Sequence, residues 1–325
     1  MQARTPFAVT FARWLTLWAA VLLLAGCGTL IPQTVGLRTA WPDGVPREVE
    51  LTKVPFFPQN EYQCGPAALA MAMDYAGADV TPEALVSEVW LPSRHGSLQL
   101  EMLAAPRRHG LVSYKLAPSY ADLLREVAAG NPVVIFQDAG MFFTEWHYAV
   151  VNGFDYATGT IYLRSGLDMR QAMPFSYFER TWLAGKYWAI VVTQPDRIAA
   201  TATEDRWLDA LLGLARGGHN DAAVRGYRAA LARWPDSLPA AVGLANHLHE
   251  GGHLDEAAGV LRTSLQRHPD SVIVMNNLAQ TLSDQGNNAE ALFLIRRADA
   301  AQSPFASEVR ATRQLIEERI RSTGG

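Results

Sequence analysis

Cysteine is scarce in this chain of 325 residues, since Cys27 and Cys64 are the only two. No second cysteine stands near Cys64, which disfavours a thiol-redox protein. Charge of either sign is also modest: 28 Lys and Arg residues stand against 32 Asp and Glu residues, for a net charge of −4. This balance provides no basic surface for nucleic acid. Long apolar runs are lacking as well, because the N-terminal run Trp14–Leu24 is shorter than the roughly 20 residues that a membrane span needs.

The first 27 residues resemble the export signal of a bacterial lipoprotein. Arg4 and Arg13 give a basic start, an apolar stretch follows, and Leu-Ala-Gly-Cys ends at Cys27. The resemblance implies cleavage before Cys27, lipidation of Cys27 and a lipid-anchored position in the bacterial cell envelope, facing the periplasm. Gly28 after the cysteine favours the outer membrane by the same resemblance. An uncleaved membrane anchor is the alternative.

The chain beyond the signal is long enough for two domains. Nearly half of the residues are hydrophobic, which indicates that most of the chain is folded. The stretch after Cys27 contains three prolines and no periodic apolar pattern, which predicts a tether. We predict a tether over residues 28–47, a first domain over 48–195, a linker over 196–203 and a second domain over 204–321.

The last third of the chain repeats itself every 34 residues. Glycine recurs at this interval at positions 218, 252 and 286, and proline at positions 235 and 269. Glycine allows a tight turn between two helices, and proline starts the turn into the next unit. A period of 34 residues with helix-length apolar stripes is typical of tetratricopeptide repeats. We expect about three repeats over residues 204–303, then a capping helix through residue 321, and a protein partner for this all-α solenoid.

The first domain has a different pattern, with helical stretches followed by short apolar runs. The predicted helices cover residues 64–75, 82–89, 98–105 and 120–129. The predicted strands cover residues 132–136, 147–154, 160–163 and 187–193. Helices followed by antiparallel strands favour an α+β domain.

Three residues of this domain form a candidate catalytic constellation. Cys64 stands at a predicted helix start and is followed by Gly65-Pro66. The partial positive charge of a helix N-terminus favours thiolate over thiol, which predicts a lowered cysteine pKa. His147 opens a predicted strand, and Gln59 precedes Cys64 by five residues, within reach of an oxyanion beside the Cys64 N–H. A cysteine and a histidine that are distant in sequence are the expected layout of a cysteine nucleophile.

These motifs resemble a known family. Pro58-Gln59, the Cys-Gly-Pro-Ala-Ala-Leu run from Cys64 and the His-Tyr-Ala-Val-Val run from His147 resemble the papain-like peptidases that cut bacteriocin leaders after double-glycine motifs. The resemblance spans roughly residues 50–195. It implies a papain-like cysteine peptidase fold with Cys64 as nucleophile, His147 as general base and acid, and Gln59 as oxyanion donor. It implies no cofactor.

The sequence departs from that family at two places. The family's glutamine stands six residues before the cysteine and here the gap is five, so Gln63 is the alternative donor. The family also has Asp-Pro after the second strand to orient the histidine, where this chain has Ser165-Gly166. Ser165 and Asp168 are the two candidates for the third member.

Two functions follow from these observations. The first is an envelope lipoprotein with cysteine peptidase activity, an amide-cleaving acyl transfer, on a peptide or protein substrate that the repeats help to recruit. The alternative is a non-catalytic scaffold whose peptidase-like domain binds a peptide without cutting it. No metal site is predicted, because the cluster of His247, His249 and His253 has no ligand spacing beyond Glu250 and is interpreted as solvated turn histidines.

Overall fold

The computed structural model describes residues 31–59, 63–94, 96–300 and 303–323. The signal sequence with Cys27 therefore lies outside the described residues. The chain forms two compact units. The first holds most of residues 31–191, and the second holds residues 76–78, 99–114 and those from 192 onward. No helix among the described residues combines the length and the apolar character that a bilayer crossing requires.

The part of the chain up to residue 193 contains six α-helices and nine strands among its described residues. The helices are α1 to α6, over Pro32–Thr39, Cys64–Tyr75, Pro82–Val89, Gln99–Arg108, Tyr120–Ala128 and Phe175–Ala184. The strands are β1 to β9, over Glu48–Glu50, Trp90–Leu91, Gly96–Ser97, Val112–Lys115, Val133–Asp138, Trp146–Asp155, Thr160–Ser165, Asp168–Pro174 and Ala189–Thr193. A 3₁₀ turn covers Pro92–Arg94.

Seven of the strands form one sheet in the order β4-β9-β5-β6-β7-β8, with β1 paired to the far end of β6. The pairs β5/β6, β6/β7 and β7/β8 are antiparallel. Consequently β5 and β7 end where β6 and β8 begin, and we call this the His147 end of the sheet. A turn over residues 156–159 joins β6 to β7 at the opposite end, with Gly159 at φ +66°.

Helix α2 is the centre of the first unit's core. Its residues from Ala67 to Met73 are at most 1% exposed, and the helix packs against β6. Burying an apolar helix on all sides fixes its position, because every methylene group removed from water stabilises the packed state by about 0.8 kcal/mol. The residue at the start of this helix, Cys64, is therefore held at a defined place beside β6. The helix bounds predicted from the sequence, 64–75 and 82–89, are those observed.

The tether predicted over residues 28–47 is corrected by the structure from Pro32 onward. Residues 32–39 form α1, whose Thr34 and Leu37 are buried. The carboxylate of Glu179, itself fully buried, accepts hydrogen bonds from the backbone N–H groups of Gln33 (2.9 Å) and Thr34 (2.6 Å). These N–H groups have no partner within their own helix, so an anion at this position stabilises the helix start. The sequence shows no sign of this contact because Glu179 is about 145 residues away.

The repeats have the predicted architecture. Three helix pairs, α7 to α12, cover Glu204–Ala215, Asn220–Arg233, Leu238–Glu250, Leu254–Arg267, Val272–Asp284 and Asn288–Ala300, and α13 follows over Ala306–Thr323. The three glycines of the repeat have φ values of +84°, +77° and +86°, in the left-handed region that closes a helix at low cost only for glycine. The region is all-helical, as predicted, and α13 follows the third pair where the sequence predicts a capping helix.

Two other expectations for helices and boundaries are corrected. Helix α4 continues to Arg108, three residues beyond the end predicted at residue 105, and contains Pro106. The second unit also includes residues 99–114, which lie within the predicted first domain. Tyr114 packs its ring 6.0 Å from that of Trp207 and donates a hydrogen bond to the carbonyl of Thr201. The predicted boundary between the two domains, at residues 196–203, therefore does not account for the position of residues 99–114.

Candidate active site

Cys64 is the first residue of α2, and its thiol lies against the beginning of β6. The backbone N–H groups of Tyr148, Gly65 and Cys64 itself are directed at the sulfur and favour its anionic form. Tyr148 directly follows His147 in the chain. The structure thus brings the segments of Cys64 and His147 together, although they are more than 80 residues apart in sequence.

The pKa of the Cys64 thiol is shifted in the direction opposite to the one predicted from the sequence. Burial is the largest effect and raises the pKa of Cys64 above its ordinary value of 9.0, and the negative charge of Glu145 raises it further. The N–H groups at the helix start act in the opposite direction but are outweighed. The prediction of a lowered cysteine pKa is therefore wrong, because desolvation disfavours a thiolate more than the helix terminus favours it.

His147 is the second residue of β6 and pairs with Gln137 of β5. Its Nε2 lies 3.0 Å from the Oγ atom of Ser165, which leaves Nδ1 as the ring nitrogen available to a reacting group. Burial lowers the pKa of His147 from 6.5 to about 4, so the imidazole is neutral at neutral pH. Thiol and imidazole are therefore both uncharged in the resting protein.

The two candidates for the third member occupy different environments. Ser165 is the last residue of β7 and is 7% exposed, and its hydroxyl contacts the imidazole of His147. Asp168 is the first residue of β8, pairs with Ser165 across the turn and is exposed. Within the described part of the chain, Asp168 makes no hydrogen bond to His147. Geometry thus places Ser165, and not Asp168, beside the histidine.

Gln59 is held at the same end of the sheet. Its backbone N–H donates a hydrogen bond of 3.0 Å to the carbonyl of Gly166, in the turn after Ser165. Its side chain is 7% exposed, and neither Nε2 nor Oε1 has a hydrogen-bond partner among the described residues. A buried carboxamide without a partner costs about 1–3 kcal/mol. The alternative donor, Gln63, uses its carbonyl to accept the N–H of Ala67 at the start of α2.

Arg164 is a site residue that sequence reasoning missed. It is 3% exposed, and its guanidinium donates to the backbone carbonyls of Thr52, Val54 and Met169. These contacts join the segment that leads to Gln59 to the beginning of β8. A lone arginine inside a short strand has no sequence pattern that would mark this role.

Two of the three clustered histidines, His247 and His249, contact neighbouring helices, whereas all three are interpreted from the sequence as solvated turn histidines. His253 is exposed, in agreement with that interpretation. His247 lies 2.8 Å from the side-chain oxygen of Asn220 and stacks on Tyr227. His249 Nε2 lies 2.7 Å from a carboxylate oxygen of Asp284. Across the residues described here, no group of three or more His, Cys, Asp or Glu side chains is arranged to hold a metal ion.

Comparison with known families agrees with this architecture. Residues 51–190 match the family model described as the Peptidase C39 like family, and residues 208–272 and 248–316 match two tetratricopeptide repeat models. The chain therefore contains a Peptidase C39-like domain followed by tetratricopeptide repeats, which confirms the family resemblance and the two-part fold predicted from the sequence. No curated protein matches the chain.

Three solved structures are similar to part of this chain. A C39-like peptidase from Bacillus anthracis is 21% identical, with a TM-score of 0.41, and covers 47% of this chain and 100% of its own. A double glycine motif protease from an AMS/PCAT transporter, in complex with the leader peptide, is 24% identical, with a TM-score of 0.32, and covers 44% and 91%. The peptidase domain of Streptococcus ComA, a bi-functional ABC transporter involved in quorum sensing, is 20% identical, with a TM-score of 0.35, and covers 43% and 98%.

Proposed function

We propose that this protein is a cysteine peptidase that hydrolyses an amide bond of a peptide or protein substrate. The observation that carries the proposal is the contact of the Cys64 thiol with the backbone N–H of Tyr148. Tyr148 directly follows His147, whose Nε2 lies within hydrogen-bond distance of the Ser165 hydroxyl. A nucleophile, a base and a group that orients the base are the parts that covalent acyl transfer requires. The Peptidase C39-like domain supplies a family context in which this chemistry is expected.

The acylation step begins from the neutral pair. His147 accepts the thiol proton of Cys64 through Nδ1 while the sulfur attacks the substrate carbonyl carbon, and the carbonyl π electrons move to the oxygen. The resulting oxyanion is stabilised by the Cys64 N–H and by the Gln59 carboxamide, whose donor has no partner among the residues that the structure describes. His147 then passes its proton to the amine nitrogen, the C–N bond breaks, and a thioester remains on Cys64.

Hydrolysis of the thioester uses the same groups in reverse. His147 accepts a proton from water, the hydroxide attacks the thioester carbonyl, and the thiol leaves with the proton that His147 returns. The imidazolium exists only during the reaction, where it lies next to the oxyanion and the thiolate. A neutral resting pair places the proton transfer in the transition state, where a positioned base contributes about 10²- to 10⁴-fold.

A second candidate, a peptide-binding scaffold without catalysis, is favoured by one specific observation. Burial moves both pKa values away from a thiolate–imidazolium pair, and no carboxylate contacts the imidazole in the described structure. A pocket of this kind would bind a peptide without cutting it if the proton transfer were too slow.

Turnover of a complex peptide mixture separates the two candidates. A bacterial proteome cleaved at its acidic residues supplies peptides that retain internal lysine and arginine. The full-length protein is expected to generate new peptide termini, detected by mass spectrometry, and Cys64→Ala is expected to generate none. His147→Ala is expected to reduce turnover by about 10²-fold or more. Equal product from wild type and Cys64→Ala would contradict the peptidase assignment and leave the scaffold.

We further propose that Cys27 carries a lipid that anchors the protein in the bacterial cell envelope, facing the periplasm, with the outer membrane favoured by Gly28. The lipoprotein-like sequence before Cys27 supports this. Metabolic labelling with a fatty-acid analogue is expected to mark the wild type and not Cys27→Ser. A labelled Cys27→Ser variant would contradict the anchor. The repeats would recruit the substrate or a protein partner, as arrays of this kind present extended surfaces.

A further inference from the structure

The most exposed large apolar side chains of the first unit surround the candidate site. In the loop between β5 and β6, Met141, Phe142 and Phe143 are 81%, 87% and 88% exposed. In the turn between β7 and β8, Leu167 is 76% exposed, and Met169 just after it is 57% exposed. Both connections lie at the His147 end of the sheet because the four strands are antiparallel. Apolar surface gathered at one place on a protein marks an interaction site.

The β5–β6 loop is held in a defined shape by polar contacts. One carboxylate oxygen of Asp138 accepts hydrogen bonds from the N–H groups of Gly140 (3.1 Å) and Glu145 (2.8 Å), and the N–H of Ala139 donates to the carbonyl of Glu145 (2.8 Å). At Gly140 a Cβ atom would lie 1.7 Å from the carbonyl oxygen of Phe143, so only glycine fits. The loop therefore presents its apolar side chains without using them for its own folding, and binding a ligand would require little ordering of the backbone.

The loop also carries a negative charge close to the nucleophile. Glu145 is exposed, and its charge is near enough to Cys64 to act on the thiol. No ion-pair partner of Glu145 occurs among the described side chains. By contrast, Arg170 on β8 is already paired with Glu50, with 2.8 Å between Nε and Oε1. A cation on a bound molecule is therefore the complement that Glu145 lacks.

The position of the N-terminal segment indicates which occupant fits. Trp41 packs its ring 4.7 Å from that of Tyr156, and the hydroxyl of Thr34 donates to the carbonyl of Phe175. Tyr156 and Phe175 directly follow β6 and β8 at the end of the sheet opposite to His147. Thr34 and Trp41 thus pack away from the apolar loop tips. This arrangement favours a peptide over the membrane surface as their occupant.

We propose that the loop of residues 138–146 selects the substrate of the proposed peptidase. It favours an extended peptide that carries a bulky apolar residue and a lysine or arginine close to the bond to be cut. The inference rests on the proposed function and names its substrate class. Met141, Phe142 and Phe143 contact the apolar residue, and Glu145 contacts the cation.

Binding to the full-length Cys64→Ala protein tests the inference without turnover. The probes are two fluorescein-labelled peptides of equal length, one with leucine and lysine beside a central Ala-Ala bond and one with serine and glutamate there. The first is expected to bind more tightly. Glu145→Lys is expected to weaken its binding about threefold to tenfold, which corresponds to the energy of one exposed charge pair and its reversal. Phe142→Ser is expected to weaken it about fivefold.

Two substitutions elsewhere serve as matched controls. Asp43→Lys makes the same change from a negative to a positive charge at an exposed position near the opposite end of the sheet. Phe293→Ser removes a phenylalanine of the repeats that is 63% exposed. Neither is expected to change binding of the leucine–lysine peptide. Equal affinity for the two peptides, or equal effects of the control and loop substitutions, would overturn the inference.

Two further outcomes separate the inference from the alternatives. If the wild type cleaves the peptide mixture but the cleaved bonds show no enrichment of apolar and basic neighbours, the peptidase stands and the loop inference fails. If the peptides bind as expected but are not cut, the loop inference stands as peptide selection and the peptidase fails. Vesicles of phosphatidylethanolamine and phosphatidylglycerol test the membrane as occupant. If Phe142→Ser no longer binds these vesicles but still binds the peptide, the loop is a membrane contact and the inference is overturned.

Discussion

Replacing Ser165 by aspartate places a carboxylate where the family resemblance expects one, and its effect on His147 can be worked out from the structure. The hydroxyl lies 3.0 Å from His147 Nε2, and both groups are largely buried. A hydrogen bond between neutral groups contributes about 1 kcal/mol, and one to a charged group about 1.5–3 kcal/mol. Ser165→Asp therefore favours the imidazolium by about 1–2 kcal/mol more than serine does, which raises the pKa of His147 by about one unit.

The titration is measured by NMR on the ring C–H signals of His147, assigned by their absence in His147→Gln. In the wild type the pKa is expected well below 6.5, near the value of about 4 that burial produces. In Ser165→Asp it is expected to move upward, and in Ser165→Asn, which has a similar size and no charge, it is expected to stay low. The acid limb of kcat/KM is expected to follow the same order, since a protonated His147 cannot accept the thiol proton.

One result would refute this reasoning. If the wild-type histidine titrates near 6.5 and Ser165→Asp leaves it there, burial does not control the imidazole and Ser165 does not contact it. The neutral resting pair would then have no support. A low pKa in the wild type that also rises in Ser165→Asn would show that the substitution opens the site to water and that the added charge is not the cause.

Further predictions concern stability as well as activity. His147 takes up a proton near pH 6.5 in the unfolded chain and near pH 4 in the folded protein. The free energy of unfolding is therefore expected to fall by up to about 3 kcal/mol as the pH drops from above 6.5 to about 4. Urea unfolding of His147→Gln should show a smaller loss over the same pH range than that of the wild type. Gln59→Leu removes a buried carboxamide that has no partner within the described part of the chain. The variant is expected to unfold at an equal or higher urea concentration while kcat falls about 10²-fold. A fall in stability would contradict this. Glu179→Ala is expected to lower the free energy of unfolding by about 2 kcal/mol and to expose residues 32–39 to limited proteolysis, because two N–H groups lose their acceptor. If Glu179→Ala and Glu179→Gln are cleaved equally, the anchoring of this helix by Glu179 is contradicted.

The elements that could be predicted are those whose signal is local. Helix α2 has a continuous apolar composition and a glycine–proline start, and α3 has Thr81 as its cap, with the hydroxyl accepting from Ala84 N–H. The repeats could be predicted from their period of 34 residues. In each case residues within one or two turns decide the structure, so the pattern and the fold agree.

The elements that were missed depend on distant partners. Helix α1 needs the carboxylate of Glu179, and the position of Gln59 needs Arg164 and Gly166, which no local pattern connects to it. The direction of the Cys64 pKa was predicted wrongly for the same reason. The helix terminus is visible in the sequence, whereas the burial that outweighs it arises only when β6 packs against α2.

The central claim is that Cys64 forms a covalent acyl intermediate with a peptide, and trapping that intermediate tests it most directly. The full-length protein is mixed with the peptide mixture, quenched in acid within the first turnovers and digested, and the Cys64 peptide is examined by mass spectrometry. We predict a peptide acyl group in thioester linkage on Cys64, released by hydroxylamine and absent when Cys64→Ala or His147→Ala is used. An unmodified Cys64 under conditions where wild-type protein generates new peptide termini, or no new termini at all, would contradict the claim.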